Sequence, residues 1–141
     1  MGTHGVLPVT GALGAFVSGV DLTGPLTDAE VDELYQGIIL HEVLFFRDQP
    51  LSPTSHLALA EALGEVDPGH PVYPHVDGFQ SIVELIADAE HPPDTEDWHK
   101  DLTFRAEPPL ASILRAVSVP ETGGDTLWAS MSAVYEGLSA G

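Results

Sequence analysis

Apolar residues recur along this chain in two rhythms, broken by Gly- and Pro-rich stretches. Val31, Leu34, Tyr35 and Ile38 lie at helical spacing. Thr27-Asp28-Ala29-Glu30 precedes them with the form of a capping box, the Thr hydroxyl accepting from the third residue's N–H while Glu reaches back. Ser52-Pro53 opens a second helix, with Ser as N-cap and Pro in the first turn. Leu57, Ala60 and Leu63 are predicted to line its inner face, and Gly64 to cap its C-terminus. Ser130 or Ser132 caps a third helix running through Leu138.

The second rhythm is that of strands: short apolar, β-branched or aromatic runs bounded by turn residues. It predicts strands at 6–9, 12–20, 42–46 and 81–87, then from Trp98 through Phe104, at 111–119 and at 126–129. Residues 65–80 hold Pro68, Pro71 and Pro74 and read as an irregular loop. Trp98 and Trp128 read as core anchors. No internal repeat or interdomain linker appears, so the fold class is α+β, β-rich, in a single unit over 1–141 with helices packed outside.

Composition narrows the function classes. An apolar fraction of 43% supplies a core, and the absence of Cys removes disulfides and thiolate metal sites. Neither a signal-peptide pattern nor a run of membrane-spanning length is present, so a cytoplasmic location with no membrane partner is expected. Four basic against twenty-two acidic residues give a net charge of −18, which argues against nucleic acid.

Chemistry concentrates at Trp98-His99-Lys100-Asp101. On an extended strand His99 and Asp101 leave on the same face, where an imidazole nitrogen and a carboxylate oxygen can share a divalent metal. With one more His they would form the 2-His-1-carboxylate facial triad of non-haem Fe(II) oxygenases. The same spacing is also that of two solvated polar residues on an exposed strand or loop.

The setting of the pair carries a resemblance. Trp98-His99-x-Asp101-x-Thr103-Phe104, the Pro108-Pro109-Leu110 spacer and Gly123-Gly124-Asp125-Thr126-Leu127-Trp128 stand in the order and spacing of the 2-oxoglutarate-dependent taurine dioxygenase family. Gly19-Val20-Asp21-Leu22, the run from Val43 to Gln49, and the run from His70 to His75 match as well. The resemblance implies a double-stranded β-helix, or jelly roll, of which this chain is the N-terminal half. It implies Fe(II) as metal, with His99 and Asp101 as two of its ligands, and 2-oxoglutarate and O2 as cosubstrates. The reaction implied is hydroxylation of taurine, or of a related sulfonate or alkylsulfate, with release of sulfite or sulfate and an aldehyde.

By the same resemblance the Thr126 hydroxyl bonds a carboxylate of 2-oxoglutarate, and His70, Tyr73 and Leu102 contact the substrate. Thr95 stands where taurine enzymes carry Asn, which points toward a substrate without the taurine amine. The family's third iron ligand and anion-gripping Arg residues fall in the other half. Two alternatives accompany the enzyme reading: a catalytically inactive truncated remnant, and one half of a split enzyme completed by another chain. Open strand edges in a partial jelly roll further suggest a homo-oligomer or a complementing chain. His4, His41, His56, His75 and His91 have no motif that makes them ligands.

Overall fold

The structure, a computed structural model, describes residues 4–88, 90–91 and 97–139. The chain divides into two units, Met1–Pro50 with Arg115–Gly141, and Leu51–Leu114.

In the first unit, β1 (Gly5–Pro8), β2 (Ala15–Ser18) and β3 (Leu44–Phe46) form a sheet in the order β1-β2-β3. β1 runs antiparallel to β2, with Val6 opposite Val17, and β2 runs parallel to β3, with Phe16 opposite Phe45. Parallel neighbours need a crossover, and α1 (Asp28–His41) supplies it. Its start follows the capping box read from the sequence. The Glu30 N–H donates to Thr27 Oγ1 at 3.3 Å, and the Thr27 N–H donates to Glu30 Oε2 at 2.7 Å. Ala15, Val17, Val20, Leu22 and Leu34 are buried. Gly37 lets α1 approach β3, since a Cβ there would stand 3.1 Å from Leu44 Cδ1.

Two of the motifs behind the resemblance meet in this unit for a structural reason. The Gln49 side-chain amide donates to the Val20 carbonyl at 3.1 Å, and its oxygen accepts from the Leu22 N–H at 2.9 Å. Gln49 thus ties the exit of β2 to the turn after β3. Arg47 lies over the Phe16 ring, 5.2 Å from its centroid, and Phe16 packs obliquely on Phe45 at 5.6 Å. The short helix α3 (Met131–Glu136) starts at Ser130, whose hydroxyl accepts from the Ala133 N–H and donates to Glu42 Oε1 at 2.8 Å.

In the second unit, α2 (Pro53–Leu63) begins as expected at Ser52, with Ser55 reaching back to the Ser52 N–H at 2.8 Å. Leu59 is its buried side chain, while Leu57, Ala60 and Leu63 are half-buried, so the inner stripe is rotated from the predicted one. Gly64 caps the helix in an extended conformation, its N–H on the Ala60 carbonyl. β4 (His75–Val76) and β5 (Phe79–Val83) form an antiparallel hairpin about Asp77-Gly78. The predicted loop over 65–80 therefore ends in a strand pair, and the strand expected at 81–87 starts earlier and stops at Val83. Gly69, at φ 96°, lies against the Gln80 carbonyl, where a Cβ would clash.

The strands expected at 98–104, 111–119 and 126–129 are absent among the described residues. Residues 106–129 make no backbone–backbone hydrogen bond among the described residues. Strand conformation is held by a partner's N–H and C=O groups, and propensity alone does not hold it. Trp98 and Trp128 are exposed, not core anchors, because no described layer covers them. No helix among the described residues is long and apolar enough to cross a membrane.

Candidate metal centre

Residues 97–105 carry the His/Asp pair on irregular backbone. The chain turns after Asp101, because Leu102 adopts φ 49° and the Arg105 N–H closes on the Leu102 carbonyl at 3.1 Å. A left-handed conformation costs a residue such as Leu about 1–2 kcal/mol. A turn thus replaces the predicted strand, and the two side chains are close for a different, local reason. His99 Nε2 stands 3.3 Å from Asp101 Oδ1, and both side chains are more than half exposed, at 57% and 59%.

The second ring nitrogen fixes the chemistry of the first. His99 Nδ1 lies 3.0 Å from the Asp97 carbonyl, and a carbonyl only accepts, so Nδ1 carries the proton. In the neutral ring the Nε2 lone pair then faces a carboxylate oxygen. Two electron-rich atoms at that separation call for a cation between them, a proton or a metal. Donors at about 2.1 Å on neighbouring octahedral positions stand about 3 Å apart, so the pair fits two positions on one ion. Among the described residues no group of three His, Asp or Glu side chains is close enough to hold a metal.

Other predicted residues fall into separate groups. His70 and Tyr73 stack at 4.7 Å between ring centroids, and His70 Nδ1 accepts from the Val72 N–H at 3.3 Å, which leaves Nε2 as the ring's donor. The loop that carries them is tied to the turn after the His99–Asp101 pair by Arg105, whose guanidinium donates to Asp67 Oδ2. That contact, foremost, holds the Asp67 carboxyl below the usual carboxylate range, and the Gly69 N–H adds to it. Leu102 is half-buried in the turn. Thr126 is exposed in the first unit, lining a mostly apolar groove of ≈ 330 Å³ with Val9, Leu13, Phe45 and Trp128. Thr95 lies outside the described residues.

Some residues that the sequence left without a role make specific contacts. Ser112 Oγ donates to Asp101 Oδ2 at 3.4 Å, and His56 Nε2 donates to the Ile113 carbonyl at 3.2 Å. His4 Nε2 lies 3.6 Å from Glu33 Oε2 and 3.8 Å from Glu30 Oε1. His91 Nδ1 sits 3.0 Å from Asp88 Oδ1 in a local turn. No sequence motif marks Ser112 or the Asp67–Arg105 pair, since both contacts join residues far apart in the chain or without fixed spacing.

Comparison with known proteins gives these contacts a context. The chain is 40% identical over 134 residues to an alpha-ketoglutarate-dependent sulfate ester dioxygenase of Pseudomonas putida, covering 94% of this chain and 44% of that protein. It is 40% identical over 131 residues to an alkylsulfatase of Acinetobacter baylyi, covering 92% of this chain and 40% of that protein. The crystal structure of a taurine dioxygenase from Burkholderia xenovorans superposes with a TM-score of 0.84 at 38% identity, over 98% of this chain and 49% of that one. The chain thus spans about half the length of the relatives it matches. Residues 5–141 match the profile of the Taurine catabolism dioxygenase TauD, TfdA family. With the His99–Asp101 pair standing inside that match, the chain belongs to the taurine catabolism dioxygenase TauD, TfdA family.

Proposed function

We propose that this chain forms the N-terminal part of an Fe(II)- and 2-oxoglutarate-dependent dioxygenase that hydroxylates an alkyl sulfate ester or a sulfonate in the cytoplasm, within a jelly-roll domain. The observation that carries the reading is the His99 Nε2–Asp101 Oδ1 approach of 3.3 Å, with Nδ1 committed to the Asp97 carbonyl. The sulfate ester substrate is favoured by the two 40% identical relatives, named for sulfate ester and alkylsulfate chemistry, and by Thr95 at the position of the taurine enzymes' Asn.

His99 and Asp101 would hold the metal, and residues corresponding to the relatives' other half would supply the third ligand and the Arg side chains that grip both anions. When bound, Fe(II) with 2-oxoglutarate and O2 would supply the oxidation that hydroxylates the carbon bearing the sulfate or sulfonate group, 2-oxoglutarate ending as succinate and CO2, so that sulfate or sulfite leaves and an aldehyde remains. By the family resemblance, the Thr126 hydroxyl would donate to a 2-oxoglutarate carboxylate. His70, through Nε2–H, and Tyr73 orient the anionic end of the substrate, and Leu102 packs against its carbon chain. Preorganised contacts of this kind raise rate by fixing the reacting bond in line.

The test is a Co(II) titration of the chain and of its His99→Ala and Asp101→Ala variants. Each substitution is expected to abolish binding. Unchanged titration in both variants would remove the pair from any metal site.

A further inference from the structure

We infer that Ser112 is a positioning residue for the Asp101 carboxylate, and that His56 on α2 holds Ser112 in place. The inference rests on the metal-pair reading above and adds to it the device that orients one of the two donors.

The two carboxylate oxygens of Asp101 have different neighbours. Oδ1 faces His99 Nε2 at 3.3 Å, while Oδ2 accepts from Ser112 Oγ at 3.4 Å. An exposed Asp side chain rotates freely about its two torsions, so without a second contact either oxygen, or neither, would face the imidazole. The Ser112 hydroxyl selects one orientation by occupying the oxygen that is not offered to the metal. It does for the carboxylate what the Asp97 carbonyl does for His99, where Nδ1 is bound at 3.0 Å and Nε2 is left for the metal. Each donor of the pair therefore has its own outer partner, an arrangement that fixes ligand orientation in metal sites.

Ser112 needs support of its own. It lies within 106–129, where the backbone forms no ladder among the described residues. The contact that ties this stretch to regular structure within the second unit comes from His56, whose Nε2–H donates to the Ile113 carbonyl at 3.2 Å in a partly buried setting. His56 lies in the first turns of α2, a helix closed at its start by the reciprocal Ser52–Ser55 bonds. Order thus passes from a capped helix, through one imidazole, to the residue beside Ser112, and through the Ser112 hydroxyl to the Asp101 oxygen. Among the described residues no backbone hydrogen bond within 106–111 stands in for that route.

The experiment is a Co(II) titration of the chain followed by visible absorption, with Ser112→Ala, Ser112→Thr, His56→Ala and, as control, His99→Ala. Ser112→Ala is expected to weaken Co(II) binding about tenfold, the lower end for loss of an outer partner. Ser112→Thr, which keeps the hydroxyl, is expected to restore both the affinity and the Co(II) absorption band. His56→Ala is expected to weaken binding in the same direction, with the far-UV circular dichroism of α2 retained. If His99→Ala binds Co(II) as the unmodified chain does, the metal-pair reading fails and this inference with it. If His99→Ala loses binding while Ser112→Ala keeps it, the pair stands and the positioning role of Ser112 is overturned. Weakening by Ser112→Ala that Ser112→Thr does not rescue also overturns it, because the hydroxyl would then not be the cause.

Discussion

Residues 27–46 and residues 106–129 both set apolar runs between turns, and their backbones end in opposite conditions. In the first stretch the polar groups find partners close by. The capping box closes the start of α1, the Glu42 N–H closes its end on the Ile38 carbonyl, and β3 pairs with β2. In the second stretch the side chains call for strands, but the described residues offer no ladder, and Val117, Val119 and Leu127 are left exposed. The contrast separates two kinds of information. Helix caps and turns are specified by neighbours in sequence, whereas a strand is specified jointly with whatever pairs with it.

Amide hydrogen exchange should show the largest consequence. Helix α1 amides near Leu34 are expected to exchange at least about a hundredfold more slowly than those of Val117 and Val119, since exchange follows the free energy of local opening. Equal protection across both stretches would mean that 106–129 is held by bonds the structure does not contain.

What was legible in the sequence follows the same division. The starts of α1 and α2 at Thr27 and Ser52 were readable because each cap lies within one turn of the group it bonds, and of the two candidates for α3, Ser130 and Ser132, the structure uses Ser130. The β4–β5 hairpin carried a signal, Asp77-Gly78 between strand-forming residues, that the surrounding prolines obscured. The buried stripe of α2 was misplaced because Leu57, Leu59, Ala60 and Leu63 fit more than one face, and packing chooses among them. At the candidate site, His99 and Asp101 stand 3.3 Å apart beside a turn at Leu102, where the sequence suggested a strand. Ser112, His56 and the Asp67–Arg105 pair could not be read, because their meaning lies in contacts made across the fold.

A smaller effect would sharpen the account of the closed stretch. The Thr27 backbone N–H, and next its hydroxyl, hold the Glu30 carboxyl below its ordinary value of 4.5. A depressed carboxyl contributes stability that is full above the unfolded value and fades as pH falls through the folded one. Thermal unfolding is therefore expected to show Thr27→Ala costing about 1 kcal/mol at neutral pH. Glu30→Gln is expected to narrow its gap to the parent chain as pH drops below 4.5. An undiminished gap in acid would detach Glu30 from the cap.

Long-range proton–nitrogen NMR of the His99 imidazole tests most directly whether His99 is a metal ligand held by its neighbours in the right tautomer. In the metal-free chain at a pH where the ring is neutral, Nδ1 is expected to carry the proton. On addition of Zn(II), the Nε2 resonance is expected to shift while Nδ1 stays protonated. A ring protonated at Nε2, with both nitrogens unmoved by the metal, would contradict it.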